Sequence, residues 1–188
     1  QYVHSKFTAE RLVLEAALQG VPVKIMRVGN LAARESDGEF QLNFTTNGFM
    51  GRLKAYLVIG AFPYSAMNAM VEMAPVDSTA RAILMLCKTP EQCRVFHPYN
   101  NHYVPLGDII LQMRRMGMKI ELMEDDAFEA ALQKAKDDPV KARVLTTLLA
   151  YENMDAGKKI EMIETENEFT TQALYRLGFE WSMTSRAY

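Results

Sequence analysis

Apolar residues recur along this chain with two periods, near 3.6 and near 2, and the switches between them mark out its elements. From about Val3 to Gln19, Ala9, Leu12, Val13, Ala16 and Ala17 are spaced for one helix face, and Gly20 is placed as the stop. Val21 to Val28 is a short β-branched run ending in Gly29-Asn30, the pattern of a buried strand that delivers a loop. Glu35 to Gly38 predicts a turn, and Phe49 to Val58 a helix closed by Gly60. Asp77 is expected to N-cap an amphipathic helix from Ser78 to Lys88. Val95 to His97 predicts a strand, Leu106 to Met116 a helix, and Met118 to Leu122 an alternating strand. Helices are expected next at Asp126 to Lys136 and Val140 to Tyr151, the second opened by Asp138 as cap and Pro139 at the first helical position. A strand at Lys159 to Ile163 and a helix at Glu168 to Leu177, stopped by Gly178, complete the series. Strands alternating with helices predict an α/β fold with a mostly helical tail.

Composition narrows the function classes more than it alters this picture. The chain has 188 residues, 49% hydrophobic and 23% charged, enough for one domain with a core or one domain with an appendage. A net charge of -2 and the lack of a basic run speak against nucleic acid or a membrane surface as partner. Ala55 to Val71 carries no charge, but Gly60, Pro63, Ser65 and Asn68 interrupt it, which argues against a lipid-facing helix. Cys87 and Cys93 form no Cys-x-x-Cys pair, so reduced thiols in a cytoplasmic protein are expected, with no disulfide framework and no metal. A chain that opens at Gln1 and enters a motif at Tyr2 is expected to be a piece of something longer.

That motif carries the chemistry. Tyr2 and Lys6 are four apart, so on a helix they stand on one face. A phenol with a pKa of about 10 is a poor proton donor near neutrality, and an adjacent ammonium favours the phenolate and lowers that value. The spacing alone is weak, because many helices contain it by chance. It gains weight from an ordered set of downstream segments. Tyr2-x-x-Ser5-Lys6-x-x-Ala9-Glu10-x-Leu12-Val13 leads into Gly20-Val21-Pro22-Val23-x-Ile25-x-Arg27-Val28-Gly29-Asn30, then Pro75-Val76-Asp77-x-x-Ala80-x-Ala82-Ile83. Val95-Phe96-His97-x-x-Asn100, Leu106-x-Asp108-Ile109-Ile110 and Thr171-x-x-Leu174-x-x-Leu177-Gly178-Phe179-x-Trp181 complete the set. Together these segments resemble the extended short-chain dehydrogenase/reductase superfamily, and within it the thioester reductase domains of nonribosomal peptide synthetases and carboxylic acid reductases.

The resemblance implies the later part of a Rossmann-like reductase, with a catalytic-helix and sheet part at about 1–100 and a mixed, mostly helical substrate lobe at about 101–188. It implies Tyr2 as general acid, Lys6 as its tuner and a hydrogen-bond donor to the nicotinamide ribose, and Gly29, Asn30 and Leu31 as cofactor-side contacts. It implies NADPH as cofactor and an acylated carrier protein, with its phosphopantetheine arm, as partner. The Ser or Thr that such domains place before the Tyr is missing, since Gln1 alone precedes Tyr2. The glycine-rich pyrophosphate loop is missing too: Gly48 and Gly51 are the one Gly-x-x-Gly, with neither a third glycine nor a strand before them. Weak or no NADPH binding is therefore expected of the chain alone.

Phe62, Tyr64, Met67, Met70 and Met73 surround the Gly60 and Pro63 break and could form either a wall for an apolar acyl chain or ordinary core; the substrate lobe that the resemblance implies favours the wall, with Phe62, Tyr64, Met67 and Met70 as substrate-binding residues. His4 should point away from the Tyr2–Lys6 face. His97 and His102 lack the carboxylate or thiol company of a metal site, and Glu124-Asp125-Asp126 suits a helix start. Two rivals to a thioester reductase remain: an extended reductase acting on sugar nucleotides, and a non-catalytic module that docks a carrier protein through Asp126 to Asn153.

Overall fold

The computed structural model describes residues 2–42, 47–145 and 166–183. Helix α1 spans Tyr2–Leu18 and leads to β1, Ile25–Met26, and β2, Leu31–Ala32. Then come α2 (Gly48–Ile59), β3 (Ala61–Pro63), a 3₁₀ turn at Tyr64–Ala66, β4 (Met70–Val71), β5 (Ala74–Pro75) and α3 (Val76–Leu86). The later elements are β6 (Val95–Phe96), β7 (Val104–Pro105), α4 (Leu106–Arg115), β8 (Glu121–Met123), α5 (Asp125–Lys136), a helical stretch at 139–145 and α6 (Glu168–Arg176). The expected strand at Lys159 to Ile163, and the end of the helix begun at 139, lie outside the described residues.

Three of the four strand pairs are parallel, as α/β connectivity demands: β1 with β6, β2 with β5, and β3 with β8; β4 and β7 run antiparallel. The expected strand at 21–28 contracts to two residues, because β6 is the partner it finds among the described residues. Ile25 N–H donates to Arg94 O at 2.7 Å and Arg27 N–H to Phe96 O at 2.9 Å. Pro22 has no N–H to extend the ladder.

Gly60 closes α2 as its pattern predicts, at φ 78°, a left-handed conformation that suits a residue without Cβ. Asp138 accepts from Val140 N–H at 2.9 Å, the expected cap. Asp77 is a correction. It lies in the first turn of α3, one residue inside a helix that starts at Val76 directly out of β5, and Pro75 occupies the cap position. Its carboxylate reaches back instead to the N–H groups of Glu35 (2.9 Å) and Ser36 (3.2 Å), tying down the 35–38 turn.

Apolar burial falls into two clusters. One joins α2, β3, α4 and α5 through Tyr56, Phe62, Leu106, Ile110, Phe128 and Leu132. The other joins α3, β6 and α6 through Ala82, Leu86, Phe96, Leu174, Phe179 and Trp181. The clusters interleave along the sequence, since α6 and the tail return to pack beside α3 and β6. Helix α1 belongs to neither: of its described side chains Ala17 alone is buried, while Phe7 (67%) and Leu18 (85%) stand exposed.

Candidate active site

Two salt-bridge contacts set the position of α1. Arg27 Nε donates to Glu10 Oε1 at 2.8 Å and its Nη2 to Glu10 Oε2 at 2.6 Å, a bidentate pairing with a preferred planar geometry. The Arg27 hydrogen bond holds the Glu10 carboxyl below its ordinary 4.5 against the opposing effect of burial, with the charges of Arg27 and His97 adding to it. This pairing fixes one face of α1 against the end of β1. Tyr2 and Lys6 sit two turns and one turn before Glu10, on the stripe that Glu10 occupies. At about 1.5 Å of rise per residue, Lys6 lies roughly 6 Å along the helix from Glu10. Gly29 follows two residues after Arg27 on the chain, so the Glu10–Arg27 pair ties α1 to the segment that leads into the 29–31 loop. Lys6 is exposed, and Tyr2 takes its place from the first turn of the helix.

The 29–31 loop is held on both sides of its backbone. Asn30 N–H donates to Glu72 Oε2 at 2.5 Å, and Asn30 O accepts from Ala74 N–H at 2.9 Å. A methyl group added at Gly29 would overlap the Glu72 carboxyl, so that position takes glycine for closeness of approach. Burial raises the Glu72 carboxyl above its ordinary 4.5, partly offset by the N–H groups of Asn30 and Asn100, and Oε1 is buried without a partner in hydrogen-bond geometry. Against this loop lies a cavity of about 360 Å³, lined by Asn30, Leu31, Phe40, Phe49, Glu72 and Met73 among others. Lys6 does not line it. A second cavity of about 390 Å³ shares Leu31, Ala32 and Phe40 with it.

The other sequence candidates are dispersed. Phe62 is wholly buried, edge-on to Tyr56 at 4.8 Å. Tyr64 and Met70 stand 48% and 59% exposed, and Met67 packs beneath Gly107. Met73 alone of that group reaches the loop cavity, in the company of Phe40, Phe49 and Glu72, which sequence reasoning passed over. Glu72 did leave a signal, as the first charge after the uncharged run Ala55 to Val71. Gly48 and Gly51 open and continue α2, which Asn47 caps by accepting from Met50 N–H at 3.0 Å. His97 bridges elements, its Nε2 3.3 Å from Arg27 and its Nδ1 3.2 Å from Glu166 O. Among the described residues no three His, Cys, Asp or Glu gather as a metal site, and no helix is long and apolar enough to cross a membrane.

Residues 1–83 match the NAD-binding family described as male sterility protein. The whole fold matches that of a thiolation-reductase di-domain from an archaeal nonribosomal peptide synthetase, at 37% identity and a TM-score of 0.80 over 99% of this chain. The chain is thus similar to the reductase domains of nonribosomal peptide synthetases, within the extended short-chain dehydrogenase/reductase superfamily. The reductase domain of the aureusimine biosynthetic cluster is similar over the same 99%, at 25% identity and a TM-score of 0.74. A linear gramicidin synthase polypeptide of Brevibacillus parabrevis is 28% identical over 75% of the chain, and the L-2-aminoadipate reductase large subunit of Candida glabrata 23% identical over 98%. The chain spans 38% and 47% of those two solved chains, and 3% and 13% of those two curated relatives.

Proposed function

We propose that this chain provides the catalytic helix and substrate side of a cytoplasmic, NADPH-dependent reductase that frees an acyl group from a carrier protein's phosphopantetheine thioester. The observation that carries the reading is the Glu10–Arg27 pair, which ties the helix bearing Tyr2 and Lys6 to the segment leading into the 29–31 loop. Support comes also from likeness to a thiolation-reductase di-domain, whose name joins a carrier-type domain to a reductase.

The residues suit the nicotinamide end of such a cofactor. The loop offers backbone at Gly29 without a side chain of its own, and Lys6 is exposed. Nothing in the sequence suits the pyrophosphate, since its one closely spaced glycine pair lies in α2. NADPH, when bound, supplies hydride to the thioester carbon. Tyr2 gives its phenolic proton to the carbonyl oxygen as that oxygen gains charge, and the Lys6 ammonium stabilises the phenolate left behind. Collapse of the resulting thiohemiacetal leaves aldehyde and free thiol. The cavity beside the loop, walled by Phe40, Phe49 and Met73, would shelter the acyl chain from water.

In the reductase that joins this chain to the residues upstream of it, Tyr2→Phe is expected to lower thioester-driven NADPH oxidation by at least about a hundredfold, the scale of general acid catalysis. A variant turning over at the parent's rate would end this reading.

A further inference from the structure

Glu72 stands out because its placement is unfavourable to the fold unless something uses it. It is the one charged side chain among the described residues lining the loop cavity, one of its oxygens has no partner, and the polar groups it meets are backbone N–H groups of two loops. A glutamine or a small apolar residue would fill the same space without a buried charge. On its other side Asn100, itself buried, donates from Nδ2 to Ser182 O at 3.2 Å and accepts from His102 N–H at 3.0 Å. The carboxyl thus sits between the 29–31 loop and a buried polar group anchored to the tail.

We propose that Glu72 is a positioning residue for the cofactor-side loop: its carboxylate holds Asn30 N–H, fills the space above Gly29, and so fixes the loop backbone at the mouth of the cavity. The proposal rests on the reading of Gly29–Leu31 as the nicotinamide side of the site. The Asn30 N–H bond to Oε2 and the contact over Gly29 hold the loop from one side, while Ala74 N–H holds Asn30 O from the other.

The test uses the reductase with its upstream residues, as parent, Glu72→Gln, Glu72→Ala and Gly29→Ala. NADPH affinity is measured by fluorescence titration, and the Asn30 amide is followed by hydrogen exchange. Loss of one hydrogen bond to a charged group corresponds to roughly tenfold. Glu72→Ala is accordingly expected to weaken NADPH binding and speed Asn30 exchange by about tenfold, raising KM for NADPH while leaving kcat within about twofold. Glu72→Gln, nearly isosteric, should recover part of the affinity and part of the slow Asn30 exchange. Gly29→Ala, whose methyl displaces the Glu72 carboxyl, should likewise speed Asn30 exchange. Asn30 exchange equal to the parent's in both Glu72→Ala and Glu72→Gln overturns the proposal, and Glu72→Gln decides if the alanine variant does not fold. Should the parent bind no NADPH while Asn30 exchange still depends on Glu72, the positioning role stands and the cofactor reading falls.

Discussion

Glu72 and Asp77 lie in one short segment and are pushed in opposite directions. Burial raises the Glu72 carboxyl, with too few donors to offset it. At Asp77 burial also acts to raise the value, but N–H groups of Glu35, Ser36 and Ser78 and the Ser36 side chain more than offset it and hold the carboxyl below 3.8. The consequences for stability therefore have opposite sign. Asp77 and Glu10 contribute stability that is present above their unfolded values and lost as pH falls through their lowered folded values. Glu72 keeps its proton longer when folded, so stability declines as pH rises from 4.5 through its raised value. Thermal melts of the 188-residue chain should show Glu72→Gln matching the parent in mild acid and exceeding it increasingly toward neutrality. A difference independent of pH would contradict the assignment.

At the scale of elements, one lysine joins β1 to the turn before β6. Lys24 Nζ donates to Thr89 O (3.0 Å), Thr89 Oγ1 (2.9 Å), Pro90 O (2.7 Å) and Cys93 O (2.7 Å), and lies 5.6 Å from the Phe96 ring centre. Lys24→Met keeps the stem and removes the donors, so urea unfolding should report a loss of about 2 kcal/mol. Arg27→Ala should behave differently. The exposed pair with Glu10 contributes about 0.2–1 kcal/mol to stability, yet its loss frees α1 to rotate and should reduce turnover much more than it lowers the melting midpoint. Helices were legible in the sequence because periodicity, Asp138 and the closing glycines act locally. Of the two-residue strands, β1 and β6 fell within expected runs, but β2, β4, β5 and β7 did not, since each exists through a partner 30 or more residues away, as Met70 does through Pro105. The apolar run around Gly60 announced burial but could not tell pocket from core. Phe62 went inward to Tyr56, while Met73 was carried to the cavity by the β2–β5 pairing next to it.

For the molecule as a whole, the ordered segments were readable because each is a local pattern in a fixed sequence order, and the fold they imply is one that the solved reductase domains share. Glu72 and Phe40 needed the fold, which brings them together from segments 32 residues apart. The chain alone is expected to bind NADPH weakly or not at all; calorimetry returning micromolar affinity would contradict the assignment of the pyrophosphate cradle to residues upstream.

Helix α1 presents Phe7, Leu12, Leu14 and Leu18 outward in a single element, and β1 finds one neighbour among the described residues. Such a surface is a seam: an edge where the polypeptide could be divided and rejoined without a covalent link. Co-expressed with a separate polypeptide carrying the upstream residues, this chain should reassemble into an active two-piece enzyme. Leu18→Asp and Phe7→Asp together should prevent reassembly, leaving the seam open and the chain prone to self-association.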